Sequence, residues 1–170
     1  MVYNIADIYR KEHPTDRVHA LYLYLEANQD IDEGDTLINL HDPEICSYLK
    51  SFSQSEWELF EQRMSSWNEA ALFNIADALL SATNEHISVK YLYAKIFLQT
   101  ENLEGLEYLV QNIHLVSCIP IGECGIDFYQ EIKQKIIKLS KHFGSDYSYW
   151  LLVLDLKIES EIDHFNSLKS

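Results

Sequence analysis

Apolar residues recur at spacings of three and four along nearly the whole chain, the period that lines one face of an α-helix. Val18, Leu21, Tyr22 and Leu25 make one stripe. Ile45, Tyr48, Leu49 and Phe52 make the next, opened by Asp42 and by Pro43 at the first helical position, where a missing N–H costs nothing. Trp57, Phe60, Met64 and Trp67 follow, with Ser53 and Glu56 ahead of them at capping-box spacing. Leu72, Ile75, Ala76 and Leu79 come after Asn68, whose side chain suits the unsatisfied N–H groups of a first turn. Val89, Leu92, Tyr93 and Ile96 continue the series, then Leu106, Leu109, Val110 and Ile113 behind Asn102. Two longer helices close the chain. One carries Tyr129, Ile132, Ile136, Leu139 and Phe143 and is stopped by Gly144; the other, with Ser145 as its expected cap, carries Tyr147, Trp150, Leu151, Leu154, Ile158, Ile162 and Phe165. A short first helix is predicted from Ile5 to Lys11, ending before Pro14.

Two stretches break the period. Asn28 to Asn39 reads as an acidic loop, and Leu115 to Gly125, with Pro120, Gly122 and Gly125 among Val116, Ile119 and Ile121, reads as a partly buried connector. The other joins are short, which makes successive helices pack antiparallel as hairpins. The fold class is therefore all-α: a stack of antiparallel helical hairpins, HEAT-like or irregular, forming a single domain over residues 1–170, with a plain helical bundle as the rival. The hairpins recur on the scale of helical solenoids, yet Ser53–Ala82 and Asn84–Ser117 share nothing beyond the apolar stripe, and no tetratricopeptide or ankyrin signature is present.

Composition narrows the class. Hydrophobic residues make up 47%, enough for a core, and eleven Tyr, seven Phe and three Trp argue against disorder. The net charge of -14 repels phosphates, so no nucleic-acid partner is expected; the one lysine cluster, Lys133, Lys135, Lys138 and Lys141, lies among acids. Cys46, Cys118 and Cys124 are too few and odd in number for a disulfide framework, which points to a reducing compartment. With no signal-like N-terminus and no apolar run long enough to span a bilayer, a cytoplasmic protein with no membrane partner is expected.

Motifs for chemistry are missing. Asp30 and Asp32 open like a calcium loop, but Gly34 falls one position early and His41 occupies the place of the closing bidentate carboxylate. His114, Cys118 and Cys124 lack zinc-knuckle spacing and a fourth ligand, and fit buried thiols in an apolar connector better. Nucleophile elbows and phosphate loops do not occur. Glu104 and Glu107 share a helical face, but such faces are normally solvated, where carboxylates make weak acid–base catalysts. No enzyme, metal or cofactor is expected.

What remains is a pattern of charge. No basic residue lies between Arg17 and Lys50, or between Lys95 and Lys133, while acids fill both intervals. Asp30, Asp32, Glu33 and Asp35 in the first and Glu101, Glu104, Glu107, Glu123 and Asp127 in the second are the candidate partner-binding residues, joined by Tyr24 on the flank of its helix. Leaving helical carboxylates without i, i+4 lysines costs a few tenths of a kcal/mol each, a cost that a basic partner offsets. A solvated acidic face with no partner is the plain alternative. Tyr91 and Tyr149 lie opposite the main stripes of their helices, placed for an interface or for burial between layers. In size, charge and helical architecture the chain resembles the immunity proteins that neutralise bacterial toxins. That resemblance implies a basic toxin or effector as partner, capped by the acidic helical surface. The other reading is a helical-repeat adaptor or chaperone that holds a peptide or helix in an apolar groove. Monomer and homodimer both stay open.

Overall fold

The computed structural model describes Ile5, residues 15–29 and residues 42–170. Most of the expected first helix and the acidic loop from Asp30 onward lie outside the described residues. Within them the chain is all-helical, with no strand: α1 (Arg17–Ala27), α2 (Asp42–Lys50), α3 (Gln54–Met64), α4 (Glu69–Ser81), α5 (Val89–Gln99), α6 (Leu103–Leu109), a 3-10 helix (Val110–Cys118), α7 (Ile126–Phe143) and α8 (Ser148–Lys169). Where the periodicity reads as one continuous domain, the chain divides into two compact units, Met1–Leu92 and Tyr93–Ser170.

In the first unit, α4 packs against both α1 and α2, and α1 also meets α3. Helices two or three apart in sequence are thus neighbours, a small bundle around α4. Its apolar content explains that position: Ala71, Leu72, Ile75, Ala76, Ala78 and Leu79 are all buried, on more than one face. Aromatic edges fill the core. Phe52, Trp57, Phe60 and Trp67 follow one another in edge-to-face contacts, with centroids 5.6, 5.9 and 5.3 Å apart, and Tyr22 lies 5.2 Å from Trp67. The capping box of α3 forms as its spacing predicts, and Asn68 accepts from the Ala71 N–H at 2.8 Å. Two ion pairs cross the bundle. Arg17 reaches Glu56 at 3.1 Å while its guanidinium lies over Tyr48, and Arg63 reaches Asp16 at 2.6 Å.

The second unit shows why an expected helix changes character. The stripe Leu106, Leu109, Val110 and Ile113 reads as one α-helix, but the chain tightens to a 3-10 helix at Val110. Its buried side chains are Val110, Ile113 and Val116, followed by the buried Ile119. A spacing of three drifts about 60° per step on an α-helix, but eclipses on a 3-10 helix and keeps every β-branched side chain on one face. The α6 start is capped as expected, Asn102 accepting from Gly105 N–H at 2.9 Å.

Helices α7 and α8 pack together across a short turn. Gly144 takes the left-handed conformation (φ 65°) that its place after Phe143 requires, and its N–H closes on Ser140 at 2.8 Å. Lys133 and Asp155, equally far from Gly144 along the chain, meet at 2.5 Å, which sets the antiparallel register. The expected Ser145 cap does not form. The Ser145 carbonyl accepts from Ser140 Oγ, and Asp146 accepts from the Ser148 N–H at 2.9 Å instead, because α8 begins later than its apolar stripe.

Asp16 links this fold to pH. Burial pushes its carboxyl up, but the His19 N–H and the Arg63 guanidinium outweigh that and hold it below its ordinary 3.8. A carboxyl depressed on folding stabilises fully above its unfolded value and loses that contribution as pH falls through the folded one. Urea midpoints measured from neutral pH down to below 3.8 are expected to fall less for Asp16→Asn than for the native chain. Parallel curves would show that Asp16 contributes nothing to acid sensitivity.

Candidate partner-binding faces

The expected acidic residues separate into three groups. Asp30, Asp32, Glu33 and Asp35 lie outside the described residues. Tyr24 is buried, with its hydroxyl 3.5 Å from Glu44 Oε2, and so is a core side chain and no contact residue. It faces inward because α1 meets both α3 and α4, which widens its buried face beyond one stripe. The remaining five belong to the second unit.

Glu104 and Glu107 stand exposed on α6, turned away from the buried Leu106 and Leu109; Glu123 is exposed on the connector, and Asp127 in the first turn of α7. Among the described residues, none of these four has a cation within ion-pair distance. Glu101 differs: its carboxylate is 88% exposed but lies 4.0 Å from Lys135 Nζ, which itself donates to the Leu98 carbonyl at 2.6 Å. Glu101 and Asp127 are brought together on an open groove of about 1070 Å³, along with Glu131, Lys133, Lys138 and His142. Two of the four clustered lysines are thus engaged internally, Lys133 by Asp155 and Lys135 by Leu98.

A second arrangement holds the connector in place. Lys157 and Glu161, side chains only 4% and 3% exposed, pair at 3.0 Å. Lys157 Nζ donates to the Ile119 carbonyl at 2.6 Å and sits 5.4 Å from the Tyr129 ring centroid. Glu161 Oε2 accepts the Gly122 N–H at 2.9 Å. Gly122 is left-handed (φ 88°), the conformation that favours glycine, and a Cβ there would lie 3.0 Å from His164 Nε2, so the imidazole would have to shift to admit one. Beside this pair, burial drives the Tyr129 phenol well above its ordinary pKa, helped by Cys124 and Glu161; burial likewise raises Cys124. Thiol and phenol both stay protonated at neutral pH, and the one buried carboxylate is matched by its own lysine. The cluster offers structure, not an activated nucleophile.

The third feature is apolar. Tyr149, Leu152 and Leu156 lie along one line of α8, 55–58% exposed, and Ile121 on the connector is 53% exposed. Leu156 and Ile121, with Pro120, Val153 and Ser160, border a shallow groove of about 460 Å³, and Tyr149 and Leu152 continue the apolar row along α8 beyond it. Of these side chains only Tyr149 is expected on this side from the stripe of α8. The same stripe puts Ile162 and Phe165 in the core, but both are exposed, while Lys157 and Glu161 are buried. The missed signal was the apolar spacing 149, 152, 153 and 156, which makes α8 apolar on two faces.

Among the described residues no group of three or more His, Cys, Asp or Glu side chains is placed to hold a metal ion, and no helix is long and apolar enough to cross a membrane. The chain matches no protein-family model, no curated protein and no solved structure.

Truncating one member of a buried pair strands the other. Glu161→Ala is expected to lower unfolding stability by about 3–5 kcal/mol, measured by denaturant titration. A loss below about 1 kcal/mol, the range of a surface pair, would contradict the burial. Cys118 is exposed whereas Cys124 is half-buried with its thiol held protonated, so maleimide is expected to label Cys118 first in the native chain. Equal labelling would show that the connector opens.

Proposed function

We propose that this chain is a non-catalytic protein-binding module of inhibitor or immunity type, which meets a basic partner through the carboxylates of its second unit. One observation carries the reading: Glu104, Glu107, Glu123 and Asp127 are exposed and have no described cation to neutralise them. The first unit pairs Asp16 and Glu56 with its own arginines, so outward carboxylates are not simply what this chain does with every acid. Uncompensated charge on rigid helices speeds encounter with an oppositely charged surface and disfavours wrong partners. Catalysis has less support, because the groove that holds His142 is open and its Glu101 carboxylate stands in solvent.

A second reading, the groove-binding adaptor, is favoured by the exposed apolar row of α8. Salt separates the two. Raising ionic strength from about 0.1 M to about 1 M shortens the screening length from roughly 10 Å to 3 Å, which weakens charge-driven association steeply and apolar association little. Affinity capture at low salt is expected to retain a basic protein on the native chain and to release it at high salt. The Glu104→Lys/Glu107→Lys/Asp127→Lys variant, changed only at exposed positions, should retain none. Equal capture by native chain and variant, or capture indifferent to salt, would overturn the acidic-face reading.

A further inference from the structure

We propose that the exposed row of α8, together with the groove that its Leu156 end borders, is a docking surface for an amphipathic helix that carries basic residues along one edge. The proposal rests on the groove-binding reading and needs nothing from the α6 carboxylates. Tyr149 and Leu156 lie seven residues apart, about two helical turns, so the row spans about 10 Å along α8, with Leu152 and Val153 between them. It is not a core face left open by a helix end. The opposite side of these turns buries Leu154 and Glu161 against the unit, and the buried Lys157 lies between the two sides, lining the groove itself. Pro120 and Ile121 form the far wall, and the Lys157–Ile119 and Glu161–Gly122 bonds on either side of them fix that wall to α8. The groove is therefore shaped before anything binds, which lowers the ordering cost of association.

Its near edge identifies the occupant. Asp155, Glu159 and Asp163 follow one another at i, i+4 and i+8. At 100° per residue, Glu159 sits about 60° round the helix from Leu156, and Asp163 about 20°, so the acidic line runs beside the row and then closes its C-terminal end. Asp155 is paired to Lys133. Glu159 and Asp163 are exposed, with no cation among the described residues within ion-pair distance. A helix with an apolar stripe flanked by lysine or arginine matches both the floor and the edge. Two other occupants fit worse. A second copy packed antiparallel through this row would set its own Asp155–Glu159–Asp163 line against the first, and each copy carries a net charge of -14. Anionic lipid headgroups would be repelled by the same edge.

The test uses the full chain and a synthetic model helix of about five turns with a leucine stripe and lysines along one edge, followed by fluorescence anisotropy; a twin peptide has glutamate in place of lysine. The lysine peptide is expected to bind the native chain and the twin not to. Leu152→Asp/Leu156→Asp, both at exposed positions and checked for native helix content by circular dichroism, should weaken binding by about tenfold or more. Glu159→Lys/Asp163→Lys should weaken it several-fold and gain affinity for the glutamate twin. Glu104→Lys/Glu107→Lys should leave it within about twofold, so a failure here and a failure of the acidic-face reading are told apart. Undiminished binding by the Leu152→Asp/Leu156→Asp variant would overturn the proposal. So would similar affinity for both peptides, or a dimer in sedimentation that this variant dissolves.

Discussion

The C-terminal unit is organised by one buried ion pair. Lys157 and Glu161 lie one turn apart on α8, and taking both charges out of water costs several kcal/mol per ion, a cost their mutual attraction alone seldom recovers. Each also meets a backbone group of the connector, Ile119 C=O in one case and Gly122 N–H in the other. The charges thus satisfy peptide groups that a helix-to-helix connection leaves without partners. Two well-packed leucines would seal the same space but could bond neither group. The pair is best understood as a fastening whose return is position: it fixes where the chain turns between the 3-10 helix and α7, and it holds Pro120 and Ile121 outward.

Surface chemistry follows from that frame. Exposed apolar side chains of α8 are common enough singly, but here they line up beside a fixed wall and an acidic edge. The outward carboxylates of α6, the connector and α7 lie in the same unit. The first unit uses Arg17 and Arg63 to tie Glu56 and Asp16 across its bundle, so its ion pairs serve packing. The second unit likewise ties Lys133 to Asp155 and Lys157 to Glu161, and leaves Glu104, Glu107, Glu123 and Asp127 to solvent.

Much of the helical scaffold was legible in the sequence. Ser53, Asn68, Asn102 and Gly144 each do what their side chain or lack of one dictates, because capping is local and needs only a few neighbouring residues. Tyr24 was not legible as a core residue, since its burial depends on α1 being covered from two sides. Period three at Val110, Ile113 and Val116 was visible but competes with the α-helical spacing of Leu106 and Leu109 just before it. Lys157 and Glu161 were the hardest: an i, i+4 Lys–Glu pair reads as a solvated helix surface, and only the connector folding over α8 turns it inward. The apolar row opposite could be found from its spacing, but only with α8 read as carrying two faces.

The central claim is that residues 119–122 belong to the rigid body of the C-terminal unit. Amide hydrogen exchange at Gly122 tests it most directly, because that N–H is exposed in chain position but bonded to a buried carboxylate. The account predicts slow exchange, approaching that of the α7 and α8 amides, and marked acceleration at Gly122 in a Glu161→Gln variant that keeps its helices. Exchange at Gly122 as fast as at an open loop, in the native chain, would contradict it.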